Sequence, residues 1–196
     1  MIIQPALALL EFDSIAAGIQ AGDAMVKRAP LDLLKAGTVQ PGKYLVLIGG
    51  QVADVEEAID AARSAEPNTL VDIVFLPDVH PDVVAAVAGA RRADEGEALG
   101  VVETMTVAAV IQAADAGVKG ARVTLRELRM ADGLGGKGYL LFGGTVADVE
   151  AGVAIGAARV GGQLIRDIVI AQLHPEMKDN LSVDGRFEHL VRSEEE

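Results

Sequence analysis

The chain has 196 residues, 51% of them apolar but only 3% aromatic, so its core must come from Ala, Val, Leu and Ile. A formal net charge of −12 opposes both the phosphate backbone of nucleic acids and an anionic membrane surface. The absence of Cys excludes disulfides, a thiol nucleophile, thiolate zinc sites and ordinary iron–sulfur ligation.

At the N-terminus, "MIIQPALALLEFD" lacks a basic segment, and Gln4 and Pro5 interrupt its apolar run. No stretch reaches the ~18 apolar residues of a membrane span, so a soluble intracellular protein without a signal peptide is expected. "ALALLEF" then reads as a short strand. Ser14 is a good N-cap for a helix on which Ile15, Ile19, Gly22 and Val26 recur at helical spacing. "LKAGTVQPGK" (34–43) leads through a turn into a third element, the strand "KYLVLIGG", stopped by paired glycines. A second helix follows, with Gln51 and Asp54 as a weak capping box. "LVDIVFL" is the closing strand, and His80-Pro81 ends it because Pro cannot continue the ladder.

After the charged, Gly/Ala-rich run "AGARRADEGEA" (88–98), the same order begins again. "ALGVVET" is a strand, Thr106 an N-cap, and Val107, Ile111, Ala114 and Val118 carry the helical stripe. "RELRMADGLGGK" (126–137) is the counterpart of 34–43 but two residues longer. "GYLLFGG" is the next strand, Thr145 and Asp148 form a capping box, and "LIRDIVIA" closes the unit before His174-Pro175. "DGRFEHLVRSEEE" reads as a surface tail.

The duplication is explicit. Residues 11–29 and 103–121 agree at eleven of nineteen positions at a constant offset of 92, and "GGQVADVE" (49–56) returns as "GGTVADVE" (143–150). Near the end, "VDIVFLPDVHPDV" (71–83) matches "RDIVIAQLHPEM" (166–177). Two units of order β-α-β-β-α-β give an α+β fold of two tandem ferredoxin-like, split-βαβ domains. The expected division is residues 1–90, a linker over 91–98, residues 99–184 and a tail over 185–196.

Several residues invite chemistry. "GLGGKG" (133–138) suggests phosphate binding, but a P-loop needs Ser or Thr and a helix after Gly-Lys, and here Gly138 and a strand follow. His80 and His174 each stand alone beside one carboxylate, Asp82 or Glu176, without metal-ligand spacing, and read as structural strand ends. Glu11 and Glu103 end the first strands; without a nucleophile or metal cluster nearby, they read as caps on backbone N–H groups. Asp23 with Lys27, and Asp115 with Lys119, form i,i+4 pairs on equivalent helix faces.

"ALGVVET…AADAGVK", "GGTVADVEAG" and the strand-ending "LHP", present in both copies, closely resemble the bacterial microcompartment (BMC) shell-protein domain. The order of elements is the family's ordinary one, not its circularly permuted form. The resemblance implies a tandem-domain shell protein of BMC-T type, a trimer whose six domains make a pseudohexameric tile around a central pore. It further implies Val39, Gln40, Pro41, Gly42, Gly133, Leu134, Gly135 and Gly136 as pore lining, with backbone N–H groups facing the opening and Asp132 as the nearest charge of the second loop. Asp23, Lys27, Asp115, Lys119, His80 and His174 are implied as tile-edge contacts with other shell hexamers and pentamers. One departure is visible, since many members carry an Arg just before His-Pro where this chain has Pro77-Asp78-Val79 and Ala171-Gln172-Leu173.

The resulting expectation is a non-enzymatic shell tile without metal or cofactor, located in the microcompartment shell within the cytoplasm and passing small polar metabolites. A tandem ferredoxin-like regulator holding a small ligand between its domains, and an enzyme with a site at the domain junction, are the alternatives.

Overall fold

The computed structural model describes residues 5–93 and 96–183. The first copy runs β1 (Ala6–Phe12), α1 (Ile15–Arg28), β2 (Leu33–Val39), β3 (Lys43–Gly50), α2 (Val52–Ala65), β4 (Leu70–Leu76) and α3 (Pro81–Val87). The second runs β5 (Ala98–Thr104), α4 (Val107–Gly120), β6 (Thr124–Met130), β7 (Gly138–Gly144), α5 (Val146–Val160), a 3-10 turn (Gly161–Gln163), β8 (Leu164–Ile170) and α6 (Pro175–Ser182). Each copy forms one four-stranded antiparallel sheet, ordered β2-β3-β1-β4 and β6-β7-β5-β8. This is the split-βαβ topology that the two repeats predict. The expected tail over 185–196 and residues 94–95 of the expected linker lie outside the described residues.

The helices begin where the sequence places them. The Ser14 and Thr106 side chains accept the N–H of Ala17 and Ala109 at 3.3 and 3.2 Å. Thr145 accepts from Asp148 N–H at 3.2 Å and donates to its carboxylate at 2.8 Å, whereas Gln51 makes no side-chain cap. A glycine sets how closely a helix approaches the sheet in the second copy. A Cβ on Gly117 of α4 would stand 2.4 Å from the Phe142 ring, so the helix lies close on the sheet only because that position carries no side chain.

Strand β1 shows how two cores are divided. Its whole length is buried, and its side chains alternate between faces. Ala6, Ala8, Leu10 and Phe12 pack with Ala21, Met25, Val46, Ile48, Val55 and Ile59 of their own domain. Leu7 and Leu9 instead join Val74, Val83, Val107, Val110 and Ile111 in a core shared with the second domain. The two domains are thus one packed unit.

Three features differ from the sequence reading. His80-Pro81 and His174-Pro175 end no strand; each His is the N-cap of a short helix, α3 or α6, with Pro in its first turn. Of the apolar stripe of the first helix, Ile15, Ile19 and Val26 are exposed and only Gly22 is buried, with Ala17, Gly18, Ala21 and Met25. The closing strands also pair differently from the matched letters. The ladder sets Asp72 opposite Glu11 and Arg166 opposite Glu103, so Arg166, not Asp167, is the positional counterpart of Asp72.

Candidate functional site

The junction between the domains has an apolar centre framed by charged groups. Glu11, at the end of β1, is fully buried and is aimed at the N-terminus of α4, where Val107 N–H donates to its Oε2 at 2.9 Å. Its other oxygen accepts from Lys43 Nζ at 2.6 Å. One carboxylate therefore satisfies an orphan helix donor, complements the helix dipole and neutralises a half-buried ammonium. Thr106, the α4 N-cap, donates its hydroxyl to the Asp72 carboxylate on β4.

Toward the other end of the helix, Asp115 accepts His80 N–H at 2.8 Å and pairs with Lys119 at 2.7 Å, while Lys119 also donates to the carbonyl of Asp78. His80 itself accepts Asp82 N–H at 3.2 Å through Nδ1, as His174 accepts Glu176 N–H at 3.4 Å. The structure thus brings His80, Asp115 and Lys119 together.

The corresponding groups of the other two faces have no such cross-domain partner among the described residues. Glu103 pairs with Lys137 at 3.0 Å on the surface, and Asp23 with Lys27 at 2.5 Å. Ile19 is 55% exposed where its counterpart Ile111 is 0%, and Ile168 is 42% exposed where Val74 is 1%. Ile15 and Val26 of α1, Ile165 of β8 and Met177 of α6 are also exposed. The α4 stripe, Val107 and Ile111, is buried in the core shared with the first domain, whereas Ile15, Ile19 and Val26 of the α1 stripe are exposed.

The two divergent loops also meet. A Cβ on Gly136 would stand 2.9 Å from Pro41 Cδ and 3.2 Å from the Gln40 carbonyl, with Gly136 at φ +85°. Only glycine fits that approach and that backbone. Gln40, Pro41, Gly42, Gly133 and Gly135 are exposed around this contact, and Val39 and Leu134 are half-buried. Three of the loop N–H groups are engaged within the loops. Gly42 N–H is spent on Val39 O at 2.9 Å, Leu134 N–H on Ala131 O at 2.9 Å and Gly136 N–H on Ala131 O at 3.4 Å. Strand β7 starts at Gly138, the last residue of "GLGGKG", and Lys137 holds Glu103.

The open side of the second sheet carries a network that the sequence reading missed. Glu127, almost wholly buried, pairs with Arg91 at 2.8 Å and lies 3.9 Å from Arg129. Tyr139 Oη donates to the same carboxylate at 3.4 Å, and Arg129 stands 6.0 Å from the ring centroid. Burial, reinforced by the negative charge of Glu127, raises the Tyr139 pKa above its usual 10.0. Among the described residues no group of three His, Asp or Glu is placed to hold a metal, and no helix is long and apolar enough to cross a membrane.

The BMC domain family matches this chain twice, over residues 6–79 and 98–173. The chain belongs to the BMC-domain family. The match extends beyond one domain. The bacterial microcompartment shell protein PduT of Citrobacter freundii is 42% identical over 174 residues, covering 88% of this chain and 95% of that protein. A crystal structure of a microcompartment protein from Desulfitobacterium hafniense shares 40% identity and superposes with a TM-score of 0.78, covering 90% of this chain and 99% of that one. The shell protein PduA of C. freundii, 34% identical over 82 residues, spans 41% of this chain and 88% of itself, in keeping with a single copy of the repeat.

As a tandem BMC-domain protein, the chain has a structural role as a microcompartment shell component. Its two four-stranded sheets are the two BMC domains, and the junction is a BMC–BMC contact inside one polypeptide.

Proposed function

We propose that three chains close into a pseudohexameric tile by repeating, between chains, the contact that already joins the two domains. One observation carries this reading. The surface of α4 and the face of β1 and β4 are buried against each other, while at the counterpart positions Ile15, Ile19 and Val26 of α1 and Ile168 of β8 are exposed and apolar. A head-to-tail contact between like modules must either close or propagate. Closure at six domains needs three chains. In that ring Glu103 meets the N-terminus of α1, as Glu11 meets α4.

The paired loops, Val39–Gly42 and Gly133–Gly136, then alternate around the axis as the lining of a pore for small polar metabolites. Asp23, Lys27 and His174, with the more enclosed Asp115, Lys119 and His80, lie toward tile edges that meet other shell hexamers and pentamers. No chemistry is assigned to the protein, whose family role is structural.

Light scattering tests the ring. The parent protein should have a mass near three times 20.3 kDa, and Ile19→Asp should give a folded single chain because the charge enters the bare α1 stripe. A parent protein that stays monomeric at high concentration would end the proposal.

A further inference from the structure

A cavity of about 430 Å³ opens beside the Glu127 network, between the chain leaving α3, strand β6 and helix α6. Four cationic side chains, Arg91, Arg92, Arg126 and Lys178, converge on it against two carboxylates, Glu127 and Asp179. That is a positive site in a chain of formal charge −12. Two of the cations are already neutralised, Arg91 by Glu127 at 2.8 Å and Arg92 by Asp82 at 2.7 Å. Arg126 and Lys178 have no ion pair among the described residues, and Arg126 Nε is buried without any hydrogen-bond partner.

The position of Arg126 has a backbone cause. The β6–β7 ladder pairs Leu125 with Phe142 and then Glu127 with Leu141, skipping Arg126. That β-bulge lets Arg126 line the same cavity as its neighbour Glu127, against strict strand alternation. The first copy has no such bulge, because β2 pairs with β3 without a break. An orphan guanidinium N–H is costly in a folded chain unless something accepts from it.

We infer that this cavity binds a small phosphate monoester. A guanidinium presents a planar fork to phosphate oxygens, and an ammonium supplies a mobile point charge. A phosphate carrying about two negative charges would meet two unneutralised cations, Arg126 and Lys178, against one remaining carboxylate, Asp179. The volume exceeds what a phosphate group needs, and Leu141 and Leu181 provide an apolar wall for a short organic body. The cavity is lined by the segment that follows α3 and by β6, β7 and α6 of the second copy.

Titration calorimetry of the full-length protein at fixed ionic strength tests this, with glycerol 3-phosphate, inorganic phosphate and succinate as probes. The expected result is saturable binding of glycerol 3-phosphate at one site per chain, weaker binding of inorganic phosphate and negligible heat from succinate. Arg126→Leu and Lys178→Ala should each weaken binding by about tenfold or more, and Arg126→Lys by less than Arg126→Leu. Arg63→Ala, an exposed charge elsewhere, should leave it unchanged. Circular dichroism verifies that the variants are folded, and light scattering on the same samples keeps failure of the ring separate from failure of the site. No saturable heat from the parent, undiminished binding by Arg126→Leu, or tighter binding of succinate would each overturn the assignment.

Discussion

Replacing Glu11 with Ala removes one carboxylate that serves two groups across the domain junction. Its Oε1 lies 2.6 Å from Lys43 Nζ, and its Oε2 accepts Val107 N–H at 2.9 Å. Breaking a buried ion pair from one side costs about 3–5 kcal/mol. Lys43 keeps 20% side-chain exposure, so water recovers part of that, whereas the orphaned helix N–H adds about 1–3 kcal/mol. We therefore expect Glu11→Ala to lose about 3–5 kcal/mol in urea unfolding at neutral pH. Glu11→Gln, which retains an acceptor for Val107 but not the charge, should lose about half as much. Adding Lys43→Met to Glu11→Ala should restore part of the stability, because it removes the stranded ammonium. If Glu11→Ala unfolds within about 1 kcal/mol of the parent, the junction does not depend on this carboxylate and the account of its chemistry fails.

The same substitution at Glu103, half exposed beside Lys137, should change the stability of a dilute single chain by less than about 0.5 kcal/mol yet raise the concentration needed for trimer, measured by sedimentation. Lys27→Ala with Lys119→Ala should preserve the trimer and weaken its assembly into sheets, seen by electron microscopy; sheets as extensive as the parent's would remove both lysines from the edge. Gly136→Ala forces a side chain into φ +85° against Pro41 and should cost about 1–3 kcal/mol in thermal or denaturant unfolding. Tyr139 keeps its proton above the usual 10.0 in the folded state. Its contribution is therefore fully present below pH 10 and is lost as pH climbs through the raised folded value, so Tyr139→Phe should flatten the alkaline fall in stability.

The repeat made much of the fold legible. Two copies of one phrase at a fixed offset specify twin modules, and the Ser14, Thr106 and Thr145 caps specify where their helices start. What escaped was information about partners. Ile15, Ile19 and Val26 carry the same period as Val107, Ile111 and Val118, and period alone does not distinguish a helix face turned to its own sheet from one turned to another domain. Glu11 is legible as a cap, but that the helix it serves is α4 of the other domain depends on how the domains meet, and Glu103 pairs with Lys137 instead. The α3 and α6 helices did carry a signal, His as N-cap, Pro in the first turn and an acid after it, which was outweighed by Pro as a strand terminator. The Arg126 bulge left no pattern in the letters, because a skipped ladder position is visible only against the opposing strand.

With Leu7, Leu9 and α4 sharing one core inside a single polypeptide, half of the contacts in a closed assembly form at the local concentration imposed by a short tether, independently of how much protein the cell holds. Dilution or mild heat should accordingly release intact two-module pieces rather than lone modules. The tethered contact can also tolerate weakening substitutions that its untethered twin cannot, so the two should drift apart in sequence at different rates.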